Sequence, residues 1–185
     1  MKASSGRQTQ SENGDDRAAG RRRSILFLVR FLLLLGFFAL AIAWKPVNDA
    51  VIVPFTGGVA QASAAILNVF SEGVTVHGTE LRAAGFAVDV ENGCNGVETA
   101  LLFGAAVLAF PAAWRARAIG LIAGFAAIQI LNLVRVVTLF WIGRHRPALF
   151  STAHTVLWQS VVVLAGVVLF LLWASRQKTP PQAAA

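Results

Sequence analysis

The chain is expected to fold as an all-α integral membrane protein. About four transmembrane helices are predicted, with an interfacial or re-entrant segment and a small β-hairpin on the outer side. Three observations predict this. Hydrophobic residues make up 56% of the 185 and charged residues only 14%, and mean hydropathy is +0.65. Apolar runs recur near the ~20 residues needed to cross about 30 Å of hydrocarbon. The basic residues behind the net charge of +7 flank those runs instead of forming a soluble patch. Membrane topology therefore accounts for them better than nucleic-acid binding.

Residues 1–24 are polar, rich in Ser, Gln, Asn, Asp and Arg, and close on Arg21-Arg22-Arg23. They have little to bury and are expected to be a disordered cytoplasmic tail. Ile25–Trp44 is the first span, and its Arg30 lies close enough to the start to snorkel. Ala41-Ile42-Ala43 resembles a signal-peptide cleavage site, but the run is long for that and carries an arginine, so a retained anchor is preferred. Pro46–Phe70 is broken by Asn48, Asp49, Pro54, Gly57-Gly58, Gln61 and Asn68. Such interruptions suit an interfacial or re-entrant segment better than a lipid-exposed span. Across Gly73–Glu91, apolar residues alternate with polar or small ones around His77-Gly78 and Ala84-Gly85, which predicts a hairpin or meander. Three more spans follow at Val97–Ala113, Ala118–Trp141 and Thr155–Ala174. Residues 25–174 thus form one membrane-embedded domain, and 175–185 a polar tail.

Lysine and arginine placement orients the bundle. With the N-terminus in the cytoplasm and Pro46–Phe70 left on the outer side, ten basic residues lie inside: Lys2, Arg7, Arg17, Arg21 to Arg23, Arg115, Arg117, Arg176 and Lys178. Four lie outside, Lys45, Arg82, Arg144 and Arg146. If Pro46–Phe70 crossed, the N-terminal tail and the Arg115/Arg117 turn would fall on opposite sides.

Cys94, the only cysteine, stands in Glu91-Asn92-Gly93-Cys94-Asn95-Gly96 at the mouth of a span. It can form neither an intramolecular disulfide nor a multi-cysteine metal site. It is either an inert small residue or a nucleophile. Glycines on both sides give the backbone access to positive φ and clear space for a substrate, and a helix N-terminus lowers a thiol pKa. In the four-span topology Cys94 lies at the outer end of the second span and His154 at the outer end of the fourth. Arg135 lies about 9 Å below the outer end of the third. An intramembrane arginine is a functional candidate by default, or else a structural ion pair, for which Glu98 lies at matching depth. Asn132, three residues before Arg135, shares its helix face and could orient it. A lone helix-end histidine such as His154 is more often structural. His77 is expected on an exposed turn and His145 in a solvated loop.

Cys94-Asn95-Gly96 at the mouth of a span, Asn132-Leu133-Val134-Arg135 in the next and His154 opening the last resemble the exosortase/archaeosortase family of membrane transpeptidases. Cys94-Asn95-Gly96-Val97-Glu98, Phe110-Pro111-Ala112 and Leu131–Leu139 look like its exosortase H subgroup. The resemblance covers about Ile25–Trp173 and is strongest from Glu91 to Gln159. Many relatives carry serine where this chain has Asn95, and many have more spans.

The resemblance implies a catalytic Cys94–Arg135–His154 site, supported by Glu98 and Asn132, that cuts C-terminal sorting signals of exported proteins. Such signals join a short motif, a membrane span and a basic end. The expected enzyme is a cysteine peptidase or transpeptidase of the bacterial inner membrane, multi-pass, with its site facing the periplasm. No cofactor, metal or nucleic acid is expected, and the lipid bilayer is its other partner. Without the resemblance, an assembly or scaffold subunit, or a transporter subunit using Arg135 and Glu98, explains the same residues.

Overall fold

A computed structural model describes residues 5–70 and 72–177, with side chains from Arg17 onward. Helix α1 (Ser5–Ala43) is followed by α2 (Lys45–Val69). Strands β1 (Thr75–His77), β2 (Glu80–Ala83) and β3 (Phe86–Asp89) come next. Then follow α3 (Val97–Ala109), α4 (Trp114–His145) and α5 (Pro147–Ser175). The protein is an integral membrane protein, mostly helical, with four helices long and apolar enough to cross a bilayer and one small antiparallel sheet. Lys178 and the Pro180-Pro181 end of the tail lie outside the described residues.

Two local expectations change. The polar segment before Ser24 is helical from Ser5 and continues into the span without a break. The membrane helix supplies the nucleus that a polar segment lacks alone, and extension then adds one hydrogen bond per residue fixed. The four long apolar helices are α1, α2, α4 and α5. The predicted second span, Val97–Ala113, is a helix of only 13 residues, about 20 Å. It ends at Phe110, whose backbone turns extended (ψ 138°) before Pro111, as the proline ring demands. Conversely, Lys45–Val69 stays helical through Pro54. A π-turn at Asn48–Ile52 immediately precedes that proline and absorbs the i−4 clash and missing N–H.

Helix α3 packs on α1, α4 and α5, and α4 also packs on α5 and α2. At one end of the bundle Phe27 of α1 stacks its ring 6.1 Å from Phe170 of α5 and meets Phe110 edge-on at 6.3 Å. Trp173 Nε1 donates to the Ala116 carbonyl there at 3.2 Å. The start of α1, the end of α3, the start of α4 and the end of α5 therefore meet, gathering Arg21–Arg23, Arg115, Arg117 and Arg176 at one basic end. The core here is Phe103, Val107 and Ile128, flanked by Leu121, Leu169 and Trp173. Association between helices in lipid depends on close packing. Gly124 leaves room for the Phe103 ring and Gly120 for the Trp173 indole, space that a Cβ would occupy.

The opposite end carries the sheet. The three strands form a meander, β1-β2-β3, with Leu81 facing Val76 and Val88 across the two pairings. The meander expected from the alternation thus has two tight turns, at Gly78 and Gly85. Helix α2 runs in the same direction as α4 along the latter's second half. Phe55 meets Phe125 at 6.1 Å, and Leu67 and Phe70 reach Val137, Trp141 and Ile142. A second core of Leu67, Val74, Leu81, Val90 and Phe140, all at most 5% exposed, joins α2, sheet and α4. Removing each large apolar side chain from water contributes about 1.5–3 kcal/mol. Arg144 clamps the corner, donating to Glu72 Oε2 at 2.6 Å and to its carbonyl at 2.7 Å. His145 lies on Trp141 and 3.7 Å from Glu72, so this turn is built, not a free loop. The loop that carries Cys94 falls between the two cores.

Candidate active site

Cys94 sits between β3 and α3. Gly93 (φ 88°) and Gly96 (φ 74°) both take left-handed conformations, which L side chains adopt only at a cost. They fold Glu91–Gly96 into a tight turn whose Cys94 N–H donates to the Glu91 carbonyl at 2.9 Å. Asn95, 1% exposed, locks the turn. Its Oδ1 accepts the Val97 N–H at 3.0 Å, and its Nδ2 donates to Thr56 Oγ1 at 2.9 Å. Thr56 in turn donates to the Ile52 carbonyl at 2.8 Å. Asn95 thus ties the Cys94 loop to α2.

Three elements far apart in sequence then converge. His154 Nε2 lies 2.8 Å from Cys94 Sγ. Arg135, 2% exposed, donates from its terminal nitrogens to the Gly93 carbonyl at 3.1 Å, Cys94 Sγ at 3.5 Å and Gln159 Oε1 at 3.4 Å. The predicted trio does meet. The depths differ from expectation, because α5 begins at Pro147 and α4 runs on to His145. His154 is seven residues into its helix and Arg135 ten from the end of α4. The hairpin rises about 10–15 Å beyond the site.

His154 lies within a π-turn, Ala153–Trp158. Hydrogen bonding from i to i+5 lets residues five apart lie one turn above each other, so His154 and Gln159 both face the Cys94–Arg135 group. The ring is held from behind by Phe150, stacked at 5.8 Å and 4°. Phe150 in turn meets Phe86 of β3 at 6.2 Å. The sheet thus sets the position of the imidazole through these rings.

Two supporting roles are corrected. Glu98 forms no ion pair with Arg135 among the described residues. It is exposed, and its carboxylate lies beside Gly93. The α3 helix starts at Val97, so a first-turn residue points outward along the loop while the guanidinium approaches from α4 behind it. The partners of Arg135 are instead a carbonyl, a thiol and an amide. Asn132 is fully buried but makes no hydrogen bond to Arg135. Its amide packs on Gly96, where a Cβ would come within 3.0 Å of Asn132 Cγ. Gln159 and Phe150 were missed as site residues. The signal for Gln159 was a lone amide in an apolar helix, five residues after His154.

The electrostatics also differ from expectation. Burial pushes the Cys94 thiol above its ordinary pKa. Arg135 draws it back down, and Glu91 and Glu98 add to the rise. The helix N-terminus does not prevail, because Cys94 is half-buried and desolvation disfavours the anion. The group sets the Cys94 thiol 2.8 Å from an imidazole nitrogen, with a guanidinium alongside. Such a set can transfer the thiol proton, create a nucleophile and stabilise an adjacent oxyanion.

No curated protein and no solved structure matches the chain. The family model described as Transmembrane exosortase (Exosortase_EpsH) matches residues 18–174, a span that contains the apolar part of α1, all of α2 to α4, nearly all of α5, the sheet and the Cys94–Arg135–His154 group. By that match over most of its length, the chain belongs to the transmembrane exosortase family.

Proposed function

We propose that the protein is a membrane cysteine peptidase or transpeptidase that cuts C-terminal sorting signals of exported proteins. The observation that carries this is the 2.8 Å approach of His154 Nε2 to Cys94 Sγ with Arg135 at 3.5 Å. Nucleophile, base and a fixed cation meet within hydrogen-bond reach, the arrangement that acyl transfer needs.

The residues act in sequence. His154 takes the thiol proton as Sγ attacks the scissile carbonyl, so no free thiolate need accumulate. The carbonyl becomes a tetrahedral oxyanion, which Arg135 stabilises from a low-dielectric pocket. Collapse breaks the C–N bond, His154 returns the proton to the leaving amine, and a thioacyl-enzyme remains. An amine, hydroxyl or water then attacks the thioester while His154 takes the incoming proton, and Cys94 leaves and is reprotonated. Orientation follows from the basic end: Arg21–Arg23, Arg115, Arg117 and Arg176 face the cytoplasm, so the sheet and Cys94 face the outside of a bacterial inner membrane.

The test is processing of a tagged exported protein that bears a sorting signal, in cells expressing the parent or a variant. Cys94→Ala and His154→Ala should each leave the substrate full-length while the protein accumulates in the membrane. Near-parental shortening by Cys94→Ala would overturn the thiol mechanism and favour a scaffold role.

A further inference from the structure

A crevice opens between α1, α3 and α5 beside the Cys94 loop, with a cavity of about 200 Å³. Gly93 and Gly96 form its back. Leu35, Leu102 and Val163 supply apolar walls, and Thr99, Glu98 and Gln159 complete it. A larger cavity of about 410 Å³ shares Leu35, Gly93 and Glu98 with it and extends between α1, α2 and α3. Gly93, whose carbonyl accepts from Arg135, lines both, and only the crevice adds a residue whose side chain is hydrogen-bonded to Arg135. That residue is Gln159.

The two polar walls are complementary. Arginine only donates, so the Gln159 amide must turn its oxygen to Arg135, as the 3.4 Å contact has it. Its Nε2 is then left to donate elsewhere, and no acceptor for it occurs among the described residues. Glu98 offers carboxylate oxygens and pairs with no cation among the described residues. A donor on α5 and an acceptor on α3 thus line one narrow crevice with apolar sides. A peptide unit presents the matching pair, a C=O to accept and an N–H to donate. The loop glycines leave its backbone room to approach.

We propose that this crevice binds the peptide chain next to the scissile bond. Gln159 Nε2 binds a peptide carbonyl, Glu98 accepts a peptide N–H, and one small apolar side chain lies against Leu35, Leu102 and Val163. This rests on the peptidase function above and deepens it by placing the substrate. Gln159 has a second consequence. Its oxygen holds Arg135 while its nitrogen holds substrate, so filling the crevice keeps the guanidinium beside Cys94 Sγ. Gln159 is in this respect a positioning residue.

The sole thiol permits a test that needs no identified substrate. Full-length protein in lipid nanodiscs is treated with acetyl-Ala-Ala chloromethyl ketone, in which Sγ displaces chloride to form a thioether and the thiol proton passes to His154. Each rate is divided by the iodoacetamide rate of the same variant, which corrects for thiol reactivity and folding. The parent should show saturation. Gln159→Ala should raise the half-saturating concentration about three- to tenfold, the range of one lost hydrogen bond, and Val163→Trp, whose indole fills the crevice, should raise it at least as much. Gln159→Glu keeps the acceptor for Arg135 but loses the donor, so it should raise half-saturation while keeping the maximal rate within about twofold, whereas Gln159→Ala should lower both. Half-saturation unchanged within twofold in all three variants overturns the proposal, as does absence of saturation in the parent. Either result can coexist with loss of processing in Cys94→Ala, so this failure is distinguishable from failure of the peptidase function.

Discussion

Replacing Arg135 by lysine keeps the charge and removes the fork. In the structure the two terminal nitrogens reach three partners: the Gly93 carbonyl at 3.1 Å, Cys94 Sγ at 3.5 Å and Gln159 Oε1 at 3.4 Å. A lysine ammonium is a single point on a flexible stem and cannot span the same three sites. It will retain the Coulombic pull but lose the fixed donor near the thiol. Loss of one preorganised oxyanion donor typically removes about 10²–10³ in kcat, or about 2.7–4 kcal/mol. Arg135→Lys should therefore process substrate about 10²–10³ times more slowly, with membrane accumulation near parental. The assay is the first-order conversion of a tagged sorting-signal substrate in inverted or resealed vesicles, normalised to enzyme by immunoblot. Arg135→Gln, which also loses the charge, should be slower still. If Arg135→Lys converts substrate within threefold of the parent, the guanidinium is not a transition-state donor.

Three further outcomes are expected. Iodoacetamide alkylation of Cys94 should rise with pH, because only the thiolate reacts, and its midpoint should lie above the ordinary cysteine value. Glu98→Gln should move that midpoint down and Arg135→Gln up, following the causes at this thiol; a midpoint below the ordinary value refutes the desolvation account. A membrane-impermeant maleimide should label Cys94 in intact spheroplasts, and labelling only after lysis would reverse the orientation. Gly96→Ala should lower the thermal midpoint in detergent, since a Cβ at φ 74° meets Asn132 at 3.0 Å and Gln129 at 3.1 Å and left-handed backbone adds about 1–2 kcal/mol; Gly36→Ala, with nothing within 4 Å, is the matched control and should not lower it.

Membrane class, the basic flanks and the three polar residues were legible in the chain because each is a local signal. An apolar run identifies itself, and a lone cysteine between glycines, an arginine in a span and a histidine near a helix end stand out against apolar neighbours. The alternation of Gly73–Glu91 likewise announced strands. Element boundaries were less legible. Pro54 looked like a break in Lys45–Val69, yet a π-turn carries the helix past it, and Pro111 stops α3 early because the residue before proline avoids helical backbone.

What the sequence by itself determined is therefore membrane location and which few polar side chains lie in or at the bilayer. Tertiary structure decided their partners. Glu98 and Arg135 share a depth, and depth along an axis is all that spacing yields. Pairing also needs azimuth and side-chain direction, and those come from how α3 and α4 pack around the Cys94 loop. The same holds for Gln159, turned onto Arg135 by a π-turn that no residue pattern announced, and for Phe86 and Phe150, which hold His154 from the sheet. The thiol's pKa was misjudged for the same physical reason. A helix terminus and nearby glycines are visible in sequence, whereas desolvation depends on every neighbour that folding brings to within a few ångströms.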